Sequence, residues 1–229
     1  MGYDAPVILE HFYKSSLDIQ IKDYPIKGNI VVDNAVACSY LNELIAIPID
    51  KFVEYIFERF TREPIVAADV FQFSSLEDAT FTICSKIKNA NNPGLTFLEI
   101  GKLLLDDDVT RKTGAYTKYG ENHIKAAELL GLAYKGENKL YYLSFVGMLI
   151  NEFSEKKRNQ LVTRLILKNK LVIQMLLFSA KGSYELETFL YDLSESTYQR
   201  RRSNIKAVVS LLESSDEYDF KSLTQNIKY

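Results

Sequence analysis

The sequence is poor in cysteine and histidine, the residues from which most zinc sites are built. Its 229 residues include two cysteines, two histidines and no tryptophan. Cys38 and Cys84 each lie in an apolar periodic stretch, and neither shares a metal-ligand spacing with His11 or His123. A zinc site is therefore not expected, and free thiols suit a reducing compartment.

Catalytic motifs are also missing. The sequence has no Gly-x-Gly-x-x-Gly and no glycine-rich loop followed by Lys and Ser or Thr, so nucleotide binding finds no support. A metal-dependent nuclease needs a Glu-x-Lys on a strand with a partner acid, but the matches at Glu137 and Glu155 fall on a predicted hairpin tip and a predicted helix start. The acidic residues 106–108 are expected to form a solvated loop. We predict no catalytic site, no cofactor and no metal.

Long apolar runs are absent, and the N-terminus lacks a basic region followed by an apolar core. We therefore expect neither a membrane span nor secretion, and predict a cytoplasmic location. A hydrophobic content of 47% is enough for one large or two ordinary cores, while the net charge of −2 gives little support for nucleic acid by itself. The charge is unevenly distributed along the chain, since residues 155–206 hold eleven basic and five acidic residues, a local charge of +6.

The strongest functional signal is a basic segment near the C-terminus. Residues 194–206 read SESTYQRRRSNIK, and apolar residues from Ile205 to Leu212 recur at helical spacing. This predicts a helix with one buried side and a cap at Ser194 or Ser196. The other side chains include donors that suit phosphates and base edges of DNA, although a solvated basic face is the plain alternative. These predicted contacts are Thr197, Tyr198, Arg200, Arg201, Arg202, Asn204 and Lys206.

Two predicted helices precede the basic helix. Residues 170–178 suit a buried helix, Gly182 and Ser183 break it, and residues 184–193 carry apolar side chains on one side. The order of helix, turn, helix, short turn and basic helix is that of a helix-turn-helix unit.

The same order occurs earlier in the chain. Helical spacing over residues 73–88, with Ser74 or Ser75 as the cap, is followed by a turn at 91–94. Thr96 is expected to cap a helix over 97–104, and after a polar loop a third helix is predicted over 120–130.

A β-hairpin is predicted directly after this third helix. Apolar runs at 132–134 and 140–143 flank a polar tip, and a hairpin in this position is the wing of a winged-helix domain. The outward face of the third helix, the residues before it and the wing tip form a predicted phosphate-binding surface. Its residues are Lys118, Asn122, His123, Lys125, Lys135 and Lys139.

Residues 116–132 (YTKYGENHIKAAELLGL), followed by the hairpin and by residues 196–205 (STYQRRRSNI), resemble the tandem winged-helix modules of restriction endonucleases and related phage-defence proteins. The resemblance covers about residues 73–213. It implies that Arg200, Arg201, Arg202 and Ser203 contact DNA. The chain departs from that pattern after Glu213, where an acidic stretch implies a shortened or missing second wing.

The N-terminal third has weaker patterns. Residues 7–13 and 17–21 fit helix or strand, residues 30–32 look like a short strand, and 34–45 are predicted to be helical with Asp33 or Asn34 as the cap. Pro48 is expected in the first turn of another helix, whose aromatic face is either core or an interface. Residues 145–168 should form one long helix or two that set the spacing of the units on DNA.

These patterns predict a mainly α fold with short β-hairpins (α+β), built from tandem winged helix-turn-helix units behind an α-rich N-terminal region. The expected divisions are residues 1–72, a first unit at 73–145, a connecting helix at 146–168 and a second unit at 169–229. We expect a non-enzymatic protein that recognises double-stranded DNA, as a dimer or with a partner subunit, in restriction-modification or phage defence. The alternatives are a winged-helix protein-interaction subunit and a nuclease subunit related to restriction endonucleases.

Overall fold

The computed structural model describes residues 8–10, 30–60, 64–92, 94–106, 111–190 and 193–229. Within these residues the chain is mainly helical and has two small sheets of two strands each. The predicted α+β class is confirmed at this level. The patterns at 7–13 and 17–21 lie almost wholly outside the described residues, as does most of the predicted acidic loop.

The described N-terminal part includes α1 (Ile30–Ala46), α2 (Ile49–Arg59) and a 3₁₀ turn (Ala67–Asp69), and residues 8–10 are also helical. The short strand predicted at 30–32 is wrong, because these residues are the first turn of α1. Three apolar residues in a row fit either period and cannot distinguish helix from strand. Pro48 is the N-cap of α2, one position before the predicted first turn, and its φ of −53° leads into the helix. The apolar face of α2 lies in the core.

Three helices follow in the first predicted unit. A π-helical turn (Asp78–Thr82) continues into α3 (Ile83–Asn89), and α4 (Phe97–Leu105) and α5 (Thr113–Leu129) come next. The predicted caps form, since Ser75 Oγ accepts from the Asp78 amide at 3.1 Å and Thr96 makes a capping box with Glu99.

Helix α5 begins at Thr113, well before the predicted start at residue 120, because Gly120 is a crossing point and not a boundary. A Cβ at Gly120 would lie 2.0 Å from the carbonyl oxygen of Phe97, and one at Gly101 would lie 1.9 Å from that of Tyr116. Only glycine therefore lets α4 and α5 approach this closely.

The predicted hairpin is confirmed as β1 (Ala133–Lys135) and β2 (Tyr141–Leu143), which pair antiparallel with Tyr134 opposite Tyr142. Lys139 has a φ of 64° in the connecting turn. Leu95, between α3 and α4, forms an antiparallel bridge with Tyr141 and extends this small sheet.

The connecting segment consists of two helices, α6 (Phe145–Leu149) and α7 (Glu155–Ile166), separated by a 3₁₀ turn (Ile150–Glu152). Every residue from Leu161 to Leu167 is buried, so this part of the segment is core. Helix α8 (Lys170–Lys181) follows and is capped by Asn169.

The C-terminal region contains β3 (Tyr184–Glu185), the short α9 (Leu186–Phe189), the long α10 (Glu195–Glu213), α11 (Phe220–Thr224) and β4 (Ile227–Lys228). The helix predicted over 184–193 is thus reduced to a strand and one turn. Among the described residues no hairpin follows α10, and β4 pairs parallel with β3 instead.

The buried residues form two clusters. The larger one contains residues from α1 and α2, the three helices and hairpin of the first predicted unit, α7, α8, α10 and α11. The smaller one joins α8, β3, α10 and β4 with Val70. The larger cluster therefore draws on all four predicted divisions of the chain, and the division itself stays a prediction.

Candidate nucleic-acid interface

Helix α10 has one buried and one exposed face. Buried side chains include Ile205, Val208 and Leu212, which anchor the helix as their spacing predicted. The opposite face is polar, and no acidic residue lies between Ser196 and Leu212. The exposed residues of this face, called here the α10 polar stripe, are Ser196, Gln199, Arg200, Ser203, Lys206 and Ser210.

The first turn of α10 holds Arg200 along the stripe. Its Nε donates to the carbonyl oxygen of Ser196 at 3.1 Å, and its Nη2 donates to Thr197 Oγ1 at 3.3 Å. Ser194 is the N-cap residue, as predicted, but its hydroxyl donates to Thr197 Oγ1 at 2.8 Å and makes no side-chain cap bond. The Arg200 guanidinium stays exposed beside several hydroxyl groups.

The three consecutive arginines have different environments. Arg201 is half-buried, and its Nη1 donates to the carbonyl oxygen of Val70 at 2.8 Å. Burial, together with the neighbouring charge of Arg200, lowers the pKa of Arg201. Arg202 is also half-buried, and its charge acts on Tyr198. Arg200 is thus the arginine of the run that lies on the stripe.

Two predicted DNA contacts on α10 lie on its buried face. Tyr198 is 7% exposed, and burial raises the pKa of its hydroxyl. Asn204 is also 7% exposed and donates from Nδ2 to the carbonyl oxygen of Phe73 at 2.6 Å. Their prediction as surface groups is wrong, because the helical phase fixed by Ile205 and Val208 turns both inward.

His123, which the sequence predicts to face outward, is fully buried. Its Nδ1 lies 2.8 Å from the carbonyl oxygen of Tyr119, which can only accept, so Nδ1 carries the proton and Nε2 is an acceptor. Nε2 lies 3.2 Å from the Ser74 hydroxyl, and the ring stacks on Tyr119 with centroids 4.0 Å apart. Burial lowers the pKa of His123 and favours the neutral ring.

The remaining predicted contacts of the first unit surround α5. Lys118 and Lys125 are exposed, but both pair with Glu121, at 2.9 Å and 2.7 Å. Hydrogen bonds from Lys125 and Lys118 lower the pKa of Glu121, so this carboxylate stays ionised between them. Asn122 is half-buried on the same helix.

The hairpin tip carries two exposed lysines. Lys135 lies at the end of β1, with its Nζ 5.9 Å from the centre of the Tyr141 ring, and Lys139 lies in the turn. Glu137 lies between them and is also exposed, so it is not on a buried catalytic strand.

Sequence reasoning missed Gln199 as a surface residue and reached Ser203 only through the resemblance. Both lie on the α10 polar stripe, and Gln199 Nε2 donates to Glu195 Oε1 at 2.7 Å. The signal was present, since the apolar positions 205, 208, 209 and 212 fix which side of the helix is outer. Basic charge alone drew attention to Arg201 and Arg202 instead.

Among the residues that the structure describes, no group of three or more His, Cys, Asp or Glu side chains could hold a metal ion. Glu155 begins α7 and lines an open groove of about 340 Å³ that reaches Ser214 and Asp216. No described helix has the length and apolar character needed to cross a bilayer.

Comparisons with known proteins give no relatives. The sequence matches no protein-family model, and no curated protein or solved structure matches it at a significant level.

Proposed function

We propose that this protein binds double-stranded DNA and that the α10 polar stripe enters the major groove. The single observation that carries the proposal is the stripe itself. It presents Arg200, Lys206 and several hydroxyl and amide groups on one exposed face of a helix whose other face is anchored in the core. An α-helix fits the major groove, and such side chains can contact phosphates and base edges.

The arrangement of the first region supports a winged-helix unit. Helix α3, the bridging residue Leu95, helices α4 and α5, and the β1–β2 hairpin follow in the order expected of that fold. In this proposal Lys118 and Lys125 lie along the DNA backbone and the wing lysines Lys135 and Lys139 reach an adjacent phosphate.

In the C-terminal region, the order of α8, α9 and α10 supports a second helix-turn-helix unit. In the part of the chain that the structure describes, no hairpin follows α10, and β4 pairs parallel with β3, so we assign the DNA contacts of this unit to α10 alone. We propose that the protein is a cytoplasmic recognition subunit or regulator without its own catalytic site. The resemblance to restriction and phage-defence modules supports a defence system as its setting.

The test is a binding measurement with a library of mixed duplexes at several salt concentrations. Phosphate contacts release counterions, so affinity should fall steeply as salt rises, by a slope of about −0.9 per contact on logarithmic axes. The Arg200→Ala and Lys206→Ala variants should each weaken binding and reduce that slope by about one contact.

The matched control is Lys156→Ala, which removes the same charge. Lys156 belongs to α7 and is not a stripe residue, and its Nζ lies 3.7 Å from Asp216, which follows the C-terminal end of α10. The Lys156→Ala variant should bind DNA with the same affinity and the same salt slope as the parent protein. Equal losses for all three variants, or no binding by the parent at low salt, would reject the stripe as a DNA-binding surface.

One observation favours a second candidate, a protein-interaction subunit. The pairing of Lys118 and Lys125 with Glu121 neutralises part of the outer face of α5, which reduces its attraction for phosphate. A protein partner would bind with a shallow salt dependence, and DNA with a steep one. The binding measurement therefore also separates these two functions.

A further inference from the structure

One peptide group is held by both of the helices proposed to face DNA. The carbonyl oxygen of Phe73 accepts from Asn204 Nδ2 of α10 at 2.6 Å. The amide N–H of Ser74 donates to His123 Nε2 of α5 at 3.4 Å. The carbonyl of Phe73 and the amide of Ser74 belong to the same planar peptide, so the two helices hold opposite edges of one rigid group.

Both side chains that hold this peptide are inside the protein. His123 is fully buried and Asn204 nearly so, and an unpaired polar group in such a position is costly. The hydrogen bond from His123 Nδ1 to Tyr119 fixes the orientation of the ring and leaves Nε2 as the acceptor for Ser74. In each of the two hydrogen bonds the donor and the acceptor are therefore fixed: Ser74 donates to His123, and Asn204 donates to Phe73.

Neighbouring contacts fix the rest of the same segment. Arg201 of α10 donates to the carbonyl oxygen of Val70 at 2.8 Å, and Asn169, the N-cap of α8, donates to that of Asp69 at 3.0 Å. From α5, the Tyr119 hydroxyl donates to Asp78 Oδ2 at 2.6 Å. Residues 69–73 of this segment therefore accept hydrogen bonds from Asn169 and α10, and Ser74 and Asp78 contact α5.

We propose that His123 and Asn204 are positioning residues, which fix the distance and angle between α5 and α10 through the Phe73–Ser74 peptide. Neither residue contacts DNA. On a duplex bound by both helices, they would set the spacing between the two contacts, and this last step rests on the proposed function.

The relative position of the helices can be measured without DNA. Spin labels are attached at Lys125→Cys on α5 and Ser210→Cys on α10, both exposed positions, after Cys38→Ser and Cys84→Ala remove the native thiols. The distance between the labels is then measured by pulsed electron paramagnetic resonance. The parent should give one narrow distribution.

Three variants separate positioning from general stability. Asn204→Ala removes the hydrogen bond to the Phe73 carbonyl, and His123→Phe removes the ring nitrogens that contact Ser74 and Tyr119. Both changes should broaden or shift the distribution while the helical circular dichroism is retained. His123→Gln keeps an acceptor for the Ser74 amide and should restore the parent distribution. Unchanged distributions in both of the first two variants would overturn the proposal.

A measurement on the parent alone covers the case in which a variant does not fold. Nitrogen chemical shifts of the His123 ring should show an unprotonated Nε2 and a protonated Nδ1 at neutral pH. The opposite tautomer would overturn the proposal, because Nε2 could then not accept from Ser74.

Selection from a duplex library tests the consequence for DNA. The parent should select a motif in two parts at one fixed spacing, and Asn204→Ala should select the same parts at variable spacing. A variant that binds with the parent's single spacing overturns the positioning role. No DNA binding by the parent would instead reject the proposed function, and the label distances would then decide the positioning role alone.

Discussion

Of the residues described, Arg164 has the largest side chain that is completely buried, and it pairs with one acid of the stretch after α10. Its guanidinium pairs with both carboxylate oxygens of Glu217, at 3.0 Å and 3.2 Å. It also donates to the carbonyl oxygens of Ile45, in the last turn of α1, and of Ile47, between α1 and α2. One buried cation therefore joins the N-terminal helices to the segment that follows α10.

Removing Arg164 should be strongly destabilising. Arg164→Ala leaves Glu217 and two carbonyl groups without their partner, and breaking a buried pair in this way costs about 3–5 kcal/mol. Denaturation by urea would measure the loss. Lys156→Ala, an exposed change on the same helix, should stay within about 0.5 kcal/mol of the parent. Similar stabilities of the two variants would contradict the role of Arg164.

His123 should make stability depend on pH. Burial lowers its pKa, although the nearby charge of Asp78 acts in the opposite direction. The unfolded chain therefore binds more protons than the folded one between the two pKa values. The stability that neutral His123 contributes is fully present at a pH above the ordinary histidine pKa near 6.5. As the pH falls below that value, this stability is lost at up to about 1.4 kcal/mol per pH unit.

The measurement is the free energy of unfolding from pH 8 to pH 5 for the parent and for His123→Gln. The difference between the two proteins should shrink as the pH falls, because glutamine does not titrate. A difference that stays constant over this range would show that His123 has the same pKa in both states.

At the scale of the elements, the crossing of α4 and α5 depends on two glycines. Gly101→Ala or Gly120→Ala would place a methyl carbon about 2 Å from a backbone oxygen of the facing helix. Because backbone cannot move aside as a side chain can, each variant should lose at least about 1–3 kcal/mol of stability.

Gly114 is the matched control, since it lies on α5 and a methyl carbon added there would have no atom within 4 Å other than those of its chain neighbours and its own helix backbone. Gly114→Ala should stabilise the protein by about 0.5–1 kcal/mol through helix propensity. Thermal unfolding of the three variants measures the contrast. A stability loss for Gly114→Ala equal to that of Gly120→Ala would contradict the close crossing.

At the scale of the whole molecule, the larger buried cluster predicts cooperative unfolding. It includes Phe52 of α2, Ile124 of α5, Leu165 of α7 and Phe220 of α11, so the predicted divisions share one core. We expect one transition in urea, with the same midpoint by circular dichroism and by tyrosine fluorescence, which the absence of tryptophan makes easy to follow. Two separate midpoints would support independent units.

The sequence by itself determined the caps at Ser75 and Thr96 and the β1–β2 hairpin. These features depend on residues close together in the chain, where periodicity and turn chemistry act directly. It also located α10 and its inner face, from which the exposed positions of Gln199 and Ser203 follow.

Only the tertiary structure decided the environments of Arg201, Asn204 and His123. Their partners are Val70, Phe73 and Ser74, which are far away in sequence, and no local pattern can indicate such a contact. The same holds for Gly120, because its role depends on its close approach to the facing helix α4. Burial and hydrogen bonding are properties of the packed chain, and they place two predicted DNA contacts, Asn204 and His123, inside the protein.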